Sequence, residues 1–228
     1  MRRREALLTA VLCSMVVAAA SYRIIDQPEE LPPPYKIIKL MQRQTYPVLP
    51  SLIFERTVGI EFEGDLVGAG IILETGKVLT AAHVVGEDLT QYRVRLRDVS
   101  GSVVVSECRL VKIDREADLA LLSCFTDRYG KIDLGCDASI GTPVVMSGSP
   151  VGFNAGLLSG LGFVSRKENG FWIASPSITK GFSGGGVWDV NSGVLIGIVH
   201  GFVGNSFGVT APGITLFIPS QAVEEFLK

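Results

Sequence analysis

Gly181-Phe182-Ser183-Gly184-Gly185 sets a serine hydroxyl in a turn crowded with glycine, late in the chain. A serine that attacks a carbonyl needs an exposed hydroxyl, a base within hydrogen-bond reach, and backbone N–H groups aimed at the developing oxyanion. Glycine supplies the unusual dihedrals and the close backbone approach that such a turn requires. Glycine-rich turns that contain serine are common, so the reading depends on what accompanies this one.

Two upstream stretches accompany it. Leu79-Thr80-Ala81-Ala82-His83-Val84-Val85 is a strand running into a small-residue turn that presents a histidine. Asp114-Arg115-Glu116-Ala117-Asp118-Leu119-Ala120-Leu121-Leu122 places an aspartate directly before a strongly apolar strand. A carboxylate buried there is costly unless hydrogen-bonded, and an imidazole N–H is a suitable partner. Asp118 is preferred to Asp114 because it abuts the apolar run. The chain order is then His83, Asp118, Ser183. The same serine motif also fits the G-x-S-x-G elbow of α/β-hydrolases, which would need an acid and then a histidine after the serine. Only Asp189 and His200 lie there, too close to Ser183 for intervening helical units.

Outward from these motifs the chain reads as short apolar or alternating runs broken by Gly, Asn and Asp. Strands are predicted at Thr57 to Phe62, Leu66 to Leu73, Lys77 to Thr80, Tyr92 to Leu96, Ser102 to Ile113 and Leu119 to Cys124. A second set is predicted at Thr142 to Ser147, Leu158 to Arg166, Phe171 to Ser175, Gly186 to Asp189, Val194 to Gly201 and Ile214 to Pro219. The expected fold is all-β: two six-stranded antiparallel β-barrels, about 53–126 and about 140–219, with a short C-terminal helix at 220–228. Ser220 is the predicted N-cap of that helix, with Val223, Phe226 and Leu227 at helical spacing.

Before the barrels, Arg2-Arg3-Arg4 and an apolar run from Ala6 to Ala20 read as a signal peptide or signal anchor over residues 1–20, with Ala18-Ala19-Ala20 as a small-residue cleavage site. The run is shorter than the roughly 20 residues of a spanning helix, which favours cleavage. Leu12 before Cys13 is not the small residue that lipoprotein processing requires. Residues 21–52 carry Pro28, Pro32, Pro33, Pro34, Pro47 and Pro50 and read as an extended linker. The folded domain then spans 53–228, the expected location is extracytoplasmic, and membrane contact is expected only through the N-terminal segment if it is not cleaved.

A hydrophobic share of 47% suffices for a real core, and 26 glycines against 19% charged residues suit strands and tight turns. With 21 Lys and Arg against 23 Asp and Glu, the net charge of −2 offers no nucleic-acid footprint. Past the signal segment remain Cys108, Cys124 and Cys136, which allow at most one internal disulfide; Cys108 and Cys124 read equally as small buried hydrophobes. The only histidines, His83 and His200, are too far apart in sequence for a zinc motif, so neither metal nor other cofactor is expected.

On these motifs the chain resembles the trypsin-like (chymotrypsin-fold) serine proteases, closest to the bacterial Do-like, high-temperature-requirement type without PDZ domains. The resemblance runs from about Thr57 to Lys228. It includes Gly68-Ala69-Gly70-Ile71-Ile72-Leu73, Val144-Val145-Met146-Ser147-Gly148-Ser149-Pro150, Ser159-Gly160-Leu161-Gly162-Phe163-Val164-Ser165 and Gly213-Ile214-Thr215-Leu216-Phe217-Ile218-Pro219-Ser220. It implies His83 as general base, Asp118 as its orienting carboxylate, Ser183 as nucleophile and the N–H groups of Gly181 and Ser183 as oxyanion hole. It implies hydrolysis of a polypeptide through an acyl-enzyme. Phe182 departs from the pattern: trypsin has an aspartate there and Do-like enzymes commonly an asparagine, so packing alone has to turn this loop. By the same resemblance Ser177, Ile178 and Thr179 line the primary specificity pocket, with His200 on its bordering strand. No acid lies among them, which predicts a neutral, apolar preference. The alternative class is a catalytically silent binding or scaffold protein of the same fold.

Overall fold

The computed structural model describes residues 49–86, 92–97, 103–124, 130–135, 138–151, 157–204 and 210–228. The expected signal or anchor segment, most of the proline-rich linker and Cys136 lie outside the described residues. Helix α1 (Leu49–Arg56) overlaps the end of the stretch read as an extended linker. Pro50 does not prevent it, because proline in a first helical turn gives up an N–H that has no partner there. Arg56 ends α1 and its Nη1 donates to the carbonyls of Gly130 at 2.8 Å and Ile72 at 3.2 Å.

Strands β1 (Thr57–Phe62), β2 (Asp65–Glu74), β3 (Lys77–Ala81), β4 (Tyr92–Arg97), β5 (Val103–Asp114) and β6 (Leu119–Cys124) close into a barrel in the order β1-β2-β3-β6-β5-β4. A second, seven-stranded sheet comprises β7 (Pro143–Gly148), β8 (Leu157–Leu158), β9 (Gly162–Glu168), β10 (Phe171–Ala174), β11 (Gly186–Asp189), β12 (Leu195–Gly204) and β13 (Thr210–Pro219). Its order is β11-β12-β13-β10-β9-β7-β8, and β11 also pairs with β7, which curls the sheet back on itself. Seven strands stand where six were expected, because the run read as one strand from Leu158 to Arg166 breaks at Ser159-Gly160-Leu161. Ser159 leaves the ladder to bond Met146, its N–H donating to the carbonyl at 2.8 Å and its hydroxyl accepting the Met146 N–H at 2.9 Å.

The near-continuous apolar runs of several strands follow from burial on both faces. In β6, Ala120, Leu122 and Cys124 face the core of the first barrel, while Leu119 and Leu121 face the second sheet. β2 and β3 divide in the same way, Ile72 and Val78 inward against Ile71 and Leu79 outward. From the other side, Trp188, Ile198 and Ile218 meet the first barrel, while their neighbours Val187, Val199 and Phe217 fill the second. The period-two alternation of a strand thus produces three apolar layers, of which the middle one joins the two units. Cys108 and Cys124 are buried and also joined by a disulfide between directly paired residues of β5 and β6.

Helix α2 (Ser220–Leu227) seals the end of this middle layer with Val223 and Phe226, while Leu227 remains exposed. Lys112 lies 5.0 Å over the Phe226 ring and donates to the Phe226 carbonyl at 2.5 Å. Ser220 is the first helical residue and not the cap: Pro219, still paired in β13 with Gly197, occupies the N-cap, and no side chain caps the helix. The Ser220 hydroxyl is buried by this packing, with no hydrogen-bond partner among the described residues.

One polar group spans the seam. Ser147 Oγ, in β7, accepts Trp188 Nε1–H at 3.0 Å and Gly186 N–H at 3.3 Å, and lies 2.7 Å from Thr57 Oγ1 of the first barrel. The single Thr57 hydroxyl proton goes to the Ile53 carbonyl at 2.7 Å, so Ser147 supplies the proton of the Ser147–Thr57 contact. Ser147→Ala would leave the buried indole N–H without its acceptor. We expect a loss of about 1–3 kcal/mol by chemical denaturation; unchanged stability would show that the seam does not depend on this group.

Candidate functional site

The site begins where β3 leaves the first barrel. Ala82–Val84 form one 3-10 turn, held by two bonds from the same residue: Ala82 N–H to the Asp118 carbonyl at 3.0 Å and His83 N–H to Asp118 Oδ1 at 2.9 Å. Asp118 adopts φ 55°, a left-handed conformation that aspartate tolerates better than most residues and that a surrounding structure must enforce. Asp114 takes a different part. Its Oδ1 accepts the N–H groups of Glu116 and Ala117, both at 2.9 Å, and so shapes the turn that delivers Asp118. Within the site, Asp118 Oδ2 lies 2.8 Å and Oδ1 3.0 Å from His83 Nδ1. The carboxylate is buried, whereas the His83 side chain is 45% exposed, which leaves its outer edge open to a substrate.

Ser183 arrives from the second sheet. Its carbonyl accepts the Ala69 N–H of β2 at 2.8 Å, and Gly184 N–H donates to Val199 of β12 at 2.8 Å, so the loop is pinned to both units. Gly184 has φ +82°, and a Cβ there would stand 2.2 Å from the Ala69 carbonyl oxygen. Gly181 has φ +99°, and a Cβ there would stand 2.1 Å from the Ser149 carbonyl oxygen. Neither position accepts a side chain. The peptides that carry the N–H groups of Gly181 and Ser183 are fixed from behind: the Lys180 carbonyl accepts Val151 N–H at 3.2 Å and the Phe182 carbonyl accepts Gly185 N–H at 2.9 Å. In a trans peptide the N–H points opposite to the C=O, so the N–H groups of Gly181 and Ser183 are turned away from those acceptors. Neither has an acceptor among the described residues. The Phe182 ring, 1% exposed, is packed into the core of the second sheet and sits over Gly148. Burial of an aromatic thus holds the loop where an ion pair was expected to be missing.

The hydroxyl of Ser183 donates to the backbone carbonyl of His200 at 3.2 Å and makes no hydrogen bond to His83 in this structure. The imidazole of His200 turns under the site and places Nδ1 2.5 Å from Asp118 Oδ2. Burial alone would raise the Asp118 pKa. The hydrogen bonds from His200 and His83, with the attraction of His83, outweigh it and hold the carboxyl well below the usual carboxylate range. Asp118, His83 and His200 offer donor atoms within 4.8 Å of one another. The two Nδ1 to Oδ2 separations of 2.8 and 2.5 Å are hydrogen-bond distances. They fall short of the roughly 3.3 Å that separates two ligands of one tetrahedral zinc.

The residues expected at the pocket have different surroundings. Ile178 packs against the core of the second sheet, Ser177 and Thr179 are exposed, and the His200 ring serves Asp118. The Thr179 carbonyl accepts the Phe182 N–H at 3.3 Å. Sequence reading placed His200 at the pocket border and missed its bond to Asp118, because the bulge between Val199 and Gly201 that reorients it leaves no mark in the residue pattern.

With this geometry in place, residues 68–198 match the family model of the trypsin-like peptidase domain. The chain belongs to the trypsin-like peptidase family. Among solved structures, this peptidase domain is similar to a serine endoprotease from Yersinia pestis, with TM-score 0.68 and 24% identity over 80% of this chain. The chain spans 65% of the length of that protein. It is also similar to the MamO protease domain from Magnetospirillum magneticum in its apo form, with TM-score 0.65 and 20% identity over 78% of this chain and 98% of that one. Rv3671c from M. tuberculosis H37Rv, in an inactive serine-to-alanine form, gives TM-score 0.65 and 19% identity over 79% of this chain and 88% of that one. At these identities the likeness establishes the chymotrypsin-like fold. Comparison with curated protein sequences finds no match.

The electrostatics of this peptidase site yield a stability test. The folded-state pKa of Asp118 lies below its unfolded value of about 3.9. Its contribution to stability is therefore complete above that value and is lost as the pH falls through the folded pKa. Asp118→Asn should flatten the fall of stability below about pH 4, read from denaturant midpoints of both proteins. An equally steep fall in the variant would contradict the assignment.

Proposed function

We propose that the chain is a serine endopeptidase that cleaves polypeptides with Ser183 as nucleophile, His83 as general base and Asp118 as orienting carboxylate. The observation that carries this reading is the convergence of three parts at the seam between the units. His83 is held by Asp118, the Ser183 loop is pinned across the seam, and two peptide N–H groups are turned outward beside the hydroxyl. Ionised Asp118 is an acceptor only, so His83 carries its proton on Nδ1 and presents a basic Nε2. To pass its proton to that nitrogen the Ser183 hydroxyl has to leave the His200 carbonyl, an adjustment in keeping with the looser hydrogen bonds of unliganded sites. Ser183 then attacks the scissile carbonyl and passes its proton to His83. The N–H groups of Gly181 and Ser183 receive the oxyanion, and His83 returns the proton to the leaving amine. Water, activated by His83, releases the acyl group from Ser183.

The absence of an acidic residue from Ser177-Ile178-Thr179-Lys180 supports a neutral, fairly small apolar side chain before the scissile bond. The arginine-led apolar segment at residues 1–20 supports an extracytoplasmic place of action, with membrane contact through that segment if it stays attached.

A second reading is a binding or scaffold protein that keeps the fold without turnover. The observation in its favour is the Ser183 hydroxyl bonded to His200 and not to His83. Casein cleavage by the full chain separates the two readings. The peptidase reading expects activity that rises through roughly pH 6 to 8 and falls by about 10⁴-fold or more in Ser183→Ala. Folded wild type that binds casein without cutting it would favour the scaffold.

A further inference from the structure

We propose that His200 is a positioning residue of the same site, a second imidazole that orients Asp118 and must itself be neutral for the site to work. The inference rests on the peptidase reading above and adds a residue to it. His200 touches every member of the proposed triad: its ring bonds Asp118 at 2.5 Å, its ring centroid lies 5.4 Å from that of His83 in an edge-on contact, and its carbonyl receives the Ser183 hydroxyl at 3.2 Å. Phe171 of β10 covers its other side with a centroid separation of 4.6 Å, which fixes the ring plane.

Asp118 therefore serves two imidazoles at once. Oδ1 holds the His83 backbone N–H, and Oδ2 lies within hydrogen-bond reach of the Nδ1 atoms of both rings. Since an ionised carboxylate only accepts, both rings carry hydrogen on Nδ1 and leave Nε2 unprotonated when neutral. A neutral His200 adds a second donor to the carboxylate and keeps it ionised and aimed. A protonated His200 acts in the opposite direction. Its positive charge compensates the carboxylate that stabilises the His83 imidazolium, and repels that imidazolium across the ring contact. Among the described residues, the titratable groups in contact with His200 are Asp118 from the turn before β6 and His83 from the 3-10 turn. Phe171 on β10, Leu216 and Phe217 on β13 and Ser183 on the loop carry no charge at neutral pH.

The shared carboxylate links the two rings, and imidazole NMR reads that link. The chain holds two histidines, so imidazole NMR of the full chain labelled with ¹⁵N-histidine reads these rings alone. His83→Asn and His200→Asn assign the signals. The expected result is two Nδ1–H tautomers at neutral pH and linked titration steps, with the remaining ring titrating in one step when the other is replaced. In kcat/KM, the acid limb of the wild type should approach a hundredfold loss per pH unit, and that of His200→Asn about tenfold. Independent titrations, an Nε2–H tautomer for His200, or equal acid limbs in both proteins would overturn the proposal. Should His200→Asn fail to fold, the wild type and His83→Asn titrations still decide it. Wild type without Ser183-dependent turnover would instead sink the peptidase reading, while the ring titrations continue to report on the shared carboxylate.

Discussion

The site depends on a single buried carboxylate. Asp118 is held at a positive φ, and its main chain and side chain together bind the turn that carries His83. A carboxylate in this position, screened from water by apolar strands, is tolerable only while its oxygens are occupied. Those oxygens are occupied by one histidine from each unit, and this sets the relation between His83 and the serine loop. The first barrel supplies Asp118 and His83, and the second sheet supplies Ser183, the backbone N–H groups beside it and His200. Movement of the units relative to each other would remove a donor from the buried charge, so the electrostatics and the packing act in the same direction.

Packing supplies the frame for that contact. β2, β3 and β6 on one side and β11, β12 and β13 on the other divide their side chains between their own core and the shared middle layer. The bond network of Ser147 and Trp188 crosses this layer next to the serine loop, and Phe182 anchors the loop from within the second core. The loop is consequently shaped by burial of an aromatic ring and by glycines that no side chain can replace. An anchor of this kind is present once the chain has folded and requires no newly cut terminus.

Most of the fold was legible in the sequence because strands buried on both faces leave long apolar runs, and the turns between them carry glycine. The strand limits that shifted did so for local reasons: Ser159 satisfies the Met146 backbone and splits one strand in two, and α1 begins at residues that a proline count assigns to a linker. The three chemical motifs were also legible, since a histidine in a small-residue turn, an aspartate before an apolar strand and a serine among glycines each break the surrounding pattern. His200 was less legible. It lies within β12 after an apolar run and takes its contacts from a bulge and from partners 82 and 117 residues away, Asp118 and His83, which no local pattern encodes. Ser220 illustrates a similar limit: the residue type suits a cap, but the strand that precedes the helix continues through Pro219 and claims that position.

The central claim is that Ser183 is a nucleophile activated by this arrangement, and covalent labelling tests it most directly. The full chain would be treated with a fluorophosphonate and the adduct located by peptide mass mapping. The account predicts one adduct on Ser183, lost in His83→Ala. Folded wild-type protein that takes up no label, or that carries it on a residue other than Ser183, would contradict it.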